Sequence, residues 1–309
     1  MKRLVLLFAL LNGYAAHAQE EEEYKGLEAL LNSSSKSGEA ILSTFKGSRL
    51  INAQTVDLHP VGELQFFIQH RFGTVNSGAR QYFGIHNAFT RFGFEYGILE
   101  NWAVGISSAS QEKVADLYQK IKLLSQKESG MPISLTLYSA IFYRGSESFN
   151  YVPTGISLQP RHYISYTHQL LLASKINDAF SLQLMPGIYH SNLVPSSSYQ
   201  NSQFVLGAGL RLKLNKRMSL IADYYFLSDS HSKSEKSEQE RQLGIGRLYE
   251  PISLGWEIES GGHVFQLVFS NSRGMGDALL LSETRTSWLD GGIHFGFNLQ
   301  RTFRLKKNQ

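Results

Sequence analysis

The 309-residue chain contains no cysteine. That excludes disulfides, thiolate metal sites, cysteine nucleophiles and a lipid anchor on a lipobox cysteine, and it suits a chain crossing an oxidising compartment unfolded. Proline is scarce, at 7 residues. Charge of one sign is scarce too: the formal net charge is +4, and setting aside Lys2 and Arg3 leaves +2. No strong field therefore points to nucleic acid, and no nucleic-acid partner is expected. Beyond the first residues no stretch nears the roughly 18 apolar residues of a membrane helix. What the chain does have is 27 Gly, 19 Phe, 15 Tyr and 3 Trp, a mixture that favours strands and tight turns over helices.

Residues 1–19 read as a secretory signal peptide. Lys2 and Arg3 are the basic region, Leu4 to Leu11 the apolar run, and Ala16-His17-Ala18 the small-x-small cleavage site before Gln19. A cytosolic N-terminal helix is the weaker alternative. Residues 20–60 form a linker or plug segment, with an acidic run (Glu20 to Glu23), a short helix candidate (Tyr24 to Leu31) and a Ser-rich stretch (Asn32 to Ser37). With a leader and no membrane helix, the protein is soluble in the periplasm, secreted, or a barrel.

From about Glu63 the period becomes two. Ile293, Phe295, Phe297 and Leu299 alternate with His294, Gly296, Asn298 and Gln300. Phe204, Leu206, Ala208, Leu210, Leu212 and Leu214 share one face, against Val205, Gly207, Gly209, Arg211 and Lys213. Strict alternation over ten residues, with charge on the second face, suits a strand touching lipid on one side and a polar lumen on the other. About twelve such runs occur, near 61–72, 86–97, 101–111, 113–124, 131–143, 160–175, 178–190, 201–214, 217–227, 250–260, 263–271 and 290–303.

The connections alternate as well. Those around Asn177, Asn215-Lys216 and Gly261-Gly262 are tight-hairpin chemistry. The stretches 73–85, 144–159, 191–200, 228–249 and 272–287 are long and polar; the very short joint near Glu112 breaks the beat. Short turns at one end and long loops at the other predict an all-β transmembrane antiparallel barrel of about twelve strands over 61–305, in the outer membrane. A soluble β-sandwich also alternates, but it lacks this long–short rhythm. A closed sheet pairs every backbone group in hydrocarbon. Its polar lumen explains a mean hydropathy of only −0.21. The partners expected are outer-membrane lipid, the barrel-assembly machinery during insertion, and a periplasmic partner engaging residues 20–60.

The segments Thr44 to Asn52, Glu63 to Gly73, Phe92 to Gly97, Asn101 to Gly105, Tyr118 to Gln126, Phe269 to Met275 and His294 to Phe303 look familiar. Together they resemble a family of uncharacterised outer-membrane β-barrels typical of Bacteroidetes-type bacteria. They fall in order along most of the chain. The resemblance implies a fold and a location, with no activity and no catalytic residue attached. Two places depart from it: no Arg follows Ile106, and Gly84-Ile85-His86 after Phe83 replaces an acidic version.

Candidate chemistry is sparse. No catalytic residue, metal site, cofactor or enzymatic activity is expected. The ten histidines include no HxxxH or HExxH pair, although His162 and His168 could align on one strand face. Tyr189-His190-Ser191-Asn192 suggests a lipid hydrolase, but adjacent residues of a strand face opposite ways, so His190 cannot use Ser191; only a distant serine could reach it. The run Ser230 to Arg241 reads as an external loop able to bind a partner. The charges expected in the lumen are Arg71, Arg91, Glu95, Asp116, Lys120, Lys122, Arg211, Lys213, Asp223, Glu257 and Glu259. A ring of one sign would select ions; this balanced set predicts cross-lumen pairs that fill the interior. A narrow channel and a packed, poreless interior both fit. Thr44 to Asp57 could plug the lumen, add a strand, or lie in the periplasm. The leading function is a passive channel or transporter-like barrel for small polar solutes, followed by a non-conducting docking barrel and then a lipid hydrolase. An Arg at lipid-facing Leu210 or Phe297 is expected to be costly, and one at Gly209 better tolerated.

Overall fold

The computed structural model describes residues 43–145, 157–194, 199–228 and 247–305. The leader, residues 20–42 and the run Ser230 to Arg241 lie outside the described residues. Twelve strands form one closed sheet, each antiparallel to both neighbours, with β1 paired to β12 as well as to β2. The strands are β1 (Glu63–Thr74), β2 (Phe89–Leu99), β3 (Trp102–Ala109), β4 (Val114–Leu124), β5 (Ser134–Tyr143) and β6 (Ile164–Lys175). They continue with β7 (Phe180–Ser191), β8 (Ser202–Lys213), β9 (Met218–Leu227), β10 (Ile252–Ser260), β11 (His263–Ser270) and β12 (His294–Arg304). Closure leaves no strand edge, which is what hydrocarbon demands of a sheet.

Alternation fixes which way each strand faces, since a slip of one residue would turn every side chain over. On β1, Gln65, Phe67, Gln69 and Arg71 are buried while Leu64, Phe66, Ile68 and His70 stand on the outside. On β8, Gln203, Val205, Gly207, Gly209 and Arg211 point in. Exposed outer residues such as Phe94, Ile106, Leu184, Phe204, Leu254 and Trp256 make the apolar band. Large and small residues interleave on the inner wall: a Cβ at Gly207 would lie 2.7 Å from both Met185 and Tyr225.

β6 and β12 show the largest shifts, each beginning four residues later than the alternation suggests. Pro160–Tyr163 form a 3-10 turn ahead of β6, because Pro160 has no N–H to give a ladder. β12 starts at His294 because residues 271–293 turn inward first. The joint near Glu112 is a tight turn in which Glu112 and Lys113 both take positive φ, 54° and 45°, the geometry of a primed hairpin turn without its usual Asn-Gly. The connection after β4 is closed by the Lys127 N–H donating to the Met131 carbonyl at 2.9 Å.

Inside the wall lie two inserts. Residues 43–57 enter from the short-turn end and fold into a small hairpin. The Leu50 N–H donates to the Ala53 carbonyl (3.0 Å) and the Thr55 N–H to the Ser48 carbonyl (2.9 Å). From the long-loop end residues 271–293 descend with a short helix, α1 (Asp277–Ser282), whose Leu279, Leu280 and Leu281 are fully buried. The stretch 272–287, expected as a polar loop, is therefore partly lumen filling. The apolar run Ala278 to Leu281 explains why: it has no reason to remain in water.

Candidate functional site: the filled lumen

The hairpin is held by side chains of the wall. Its tip is Leu50 to Ala53. There Asp223 on β9 accepts from the Asn52 and Ala53 N–H groups, at 2.7 and 3.0 Å. The Asn52 side chain donates to Ser253 on β10 (2.9 Å) and accepts from Arg71 on β1 (2.9 Å). The Ile51 carbonyl accepts from Gln69 and Asn298, both at 2.9 Å. Further along, Gln183 on β7 donates to the Gln54 carbonyl (2.7 Å) and accepts from the Val56 N–H (2.8 Å). Thr136 on β5 and Lys120 on β4 donate to the carbonyls of Val56 and Asp57, at 2.8 and 2.9 Å. Gln266 on β11 donates to the Arg49 carbonyl at 3.3 Å. Bonds thus run from the hairpin to most of the circumference. The neck is tied by Asp57, whose carboxylate accepts from the N–H groups of Phe45 (2.7 Å) and Thr44 (3.1 Å). Burial pushes that carboxyl up, against the opposing pull of Lys122 and of those N–H donors. Of the three placements open to Thr44–Asp57 in the sequence, the structure takes the lumen.

The charges expected in the lumen sit as follows. Arg71, Arg91, Glu95, Asp116, Lys120, Arg211, Asp223 and Glu257 are buried. Lys122, Lys213 and Glu259 are half-buried. Arg91 pairs with Asp116 at 3.0 Å, Lys120 with Glu95 at 2.9 Å, and Arg211 with Glu257 and Glu259 at 2.7 Å each. Lys122 lies 3.8 Å from Asp57. Lys213 makes no ion pair among the described residues. These pairs join β2 to β4 and β8 to β10. They run along the wall between alternate strands, roughly 10 Å apart at about 4.8 Å per strand, and do not cross the lumen as the balance of charge suggested. A side chain reaches the next strand but one, and the hairpin occupies the centre.

The two inserts share one apolar cluster, Leu50 and Ile51 with Leu279, Leu280 and Leu281, and Arg49 lies beside it in sequence. Its guanidinium stacks on Phe67 (4.4 Å) and faces Tyr118 (5.2 Å), with Arg91 on the same Phe67 ring (5.3 Å). Asp277 of α1 accepts from Gln169 at 3.0 Å. Burial pushes its carboxyl up to about 6, partly opposed by the field of Arg49 and Arg91. On the β5–β9 side the wall is apolar, with Phe142, Leu171, Met185, Val205 and Tyr225 in one cluster with Leu50, Ile51 and the α1 leucines.

Gly209 has a role the sequence did not reveal. A Cβ there would run into Cδ1 of Leu50, so position 209 is the hairpin's seat, and a larger residue there meets the hairpin before it meets the wall. His162 lies in the 3-10 turn, off strand β6, so it does not align with His168. A further grouping escaped the sequence: Ser202 on β8 stands opposite His190 on β7 and reaches its imidazole at 2.7 Å. The register across a twelve-residue gap is its only signal, and local spacing does not carry register.

Residues 45–303 match the family described as a membrane bound beta barrel domain (DUF5777). No curated protein matches the chain. Among solved structures, the KdgM porin aligns at 7% identity and a TM-score of 0.46, covering 78% of this chain and 99% of that one. The NanC porin aligns at 8% and 0.47, covering 79% and 100%. An outer membrane channel of Pseudomonas putida F1 aligns at 9% and 0.43, covering 80% and 98%. At such identities and scores these likenesses assign no function.

Proposed function

The chain belongs to the membrane bound beta barrel family (DUF5777), and from that premise we propose an outer-membrane barrel of channel type for small polar solutes, shut at rest by residues 43–57. The leader 1–19 directs export, and the short-turn end faces the periplasm. The observation that carries this reading is the hairpin itself, a stretch of chain bonded through side chains to a wall rich in Gln, Ser, Thr and charged pairs. Such a wall can solvate a polar solute once the hairpin leaves. At roughly 0.5–1.5 kcal/mol net for each bond, withdrawal costs several kcal/mol, so opening requires a trigger. A periplasmic partner pulling on residues 20–60 is the trigger this geometry suits.

The second reading is a docking barrel that never conducts. It draws on the same bonds and on a vestibule of about 690 Å³ at the short-turn end, where Lys46, Lys216, Arg217 and Arg304 gather with Glu63 and Glu259. Planar-bilayer recordings separate the two. The channel reading expects silence from the mature protein and discrete steps from a version lacking residues 20–60. Silence from both, with folding verified, leaves the docking barrel; steady steps from the mature protein remove the closed resting state.

A further inference from the structure

The outward face of the β7–β8 pair carries a side-chain group for which the lumen has no use. Nδ1 of His190 lies 2.7 Å from Oγ of Ser202, and Nε2 lies 2.9 Å from Oδ1 of Asn192. Asn192 in turn donates from Nδ2 to the Arg161 carbonyl at 2.9 Å. That last contact orders the rest. A backbone carbonyl only accepts, so it holds the amide nitrogen on its own side and turns Oδ1 toward the imidazole. Oδ1 also only accepts, so the proton of the neutral ring sits on Nε2. Nδ1 is then a lone pair, and the Ser202 hydroxyl must be the donor. A nucleophile is thus hydrogen-bonded to a base, and the base is held in the right tautomer by an orienting group.

We propose that Ser202, His190 and Asn192 form a serine acyl-hydrolase site acting on the carboxylic esters of membrane lipids. Contact between an outward histidine and a hydroxyl is not enough, because the barrel has others. His70 Nδ1 is 2.8 Å from Thr90 Oγ1, and His168 Nδ1 is 2.9 Å from Ser139 Oγ. Of these three histidines only His190 has its second nitrogen fixed by an amide. Its setting selects the substrate. Two residues further along each strand, on the same outer face, stand Ile188 and Phe204, both largely exposed. They belong to the lipid-facing band, so an acyl chain lying along them brings its ester to the strand ends where Ser202 sits. Tyr166 on β6 flanks the imidazole on the other side, its ring 6.2 Å away.

The reaction needs only water as co-reactant. Ser202 Oγ attacks the ester carbonyl carbon as its proton passes to Nδ1. The bond to the alcohol breaks, and the leaving alkoxide takes that proton, leaving an acyl-serine and a lysolipid. Water then attacks the acyl carbon and gives its proton to Nδ1. Ser202 Oγ recovers that proton as the fatty acid departs. The site lies on the opposite face of the wall from the hairpin, so it is independent of whether the lumen conducts.

The test uses full-length mature protein refolded into vesicles of phosphatidylethanolamine and phosphatidylglycerol. A fluorophosphonate probe should label Ser202, and fatty acid should be released. Ser202→Ala should abolish both, and Asn192→Leu should slow release by about tenfold or more. Asn192→Asp keeps the acceptor, so it should recover much of the rate with a shifted pH profile, which a merely structural role would not produce. The proposal is overturned if barrels with intact heat-modifiable migration show neither label nor fatty acid, or if release survives Ser202→Ala.

Discussion

At Gly209 the inner wall has only a hydrogen where its neighbour Arg211 carries a side chain, and Leu50 fills the space. Neighbouring Leu210 faces lipid. Arginine at Leu210 should cost roughly 2–4 kcal/mol if the site is near the bilayer midplane. Arginine at Gly209 should leave the barrel folded but unseat the hairpin. Urea unfolding and limited proteolysis read the two effects apart: a lowered midpoint for Leu210→Arg, and new cleavage within residues 43–57 for Gly209→Arg. Equal behaviour of the two would contradict the facing of β8. Asp277 gives a residue-scale pH dependence. Its folded value, pushed up to about 6 from 3.8, means the folded state keeps a proton that the unfolded chain has released. Stability therefore falls as pH rises from about 4 to about 6 and is flat above. The full loss is about 3 kcal/mol at 1.36 kcal/mol per unit. Asp277→Asn should abolish that slope and raise the urea midpoint at pH 7, followed by tryptophan fluorescence.

At the scale of elements, the strands were legible because each is its own signal. Ten residues with alternate apolar side chains can satisfy only one wall, and Asn215-Lys216 or Gly261-Gly262 can make only a tight turn. The inserts carry no such period. Thr44 to Asp57 is a mixture of polar and apolar residues that becomes meaningful only against Gln69, Gln183, Asp223 and Asn298, which come from four different strands. The charges were legible as a face and illegible as partners. Arg91 and Asp116 are 25 positions apart, and only closure of β2, β3 and β4 side by side brings them together. Ser202 and His190 are hidden for the same reason. The α1 helix left one trace, four apolar residues in a loop that should have been polar.

Among the described residues the molecule is a wall with two inserts in series, one from each end, with Asp277 of α1 in the field of Arg49 of the hairpin. The inserts differ in what holds them. The hairpin hangs mainly on polar bonds to β1, β7 and β9–β12, whereas α1 rests its leucines on the apolar β5–β9 side. Removing residues 20–60 therefore leaves α1 in place and opens a passage along the polar half only. The resulting conductance should be small and sensitive to Arg71 and Asp223, whose charges are then exposed to ions. Replacing residues 275–283 as well, by a Gly-Ser stretch of equal length, should raise the conductance several-fold. The same replacement alone should leave the barrel silent, because the hairpin still spans the bore. Single-channel recordings on the three variants check the order. Current from the loop replacement alone would show that the hairpin does not seal the lumen and that α1 is the true closure.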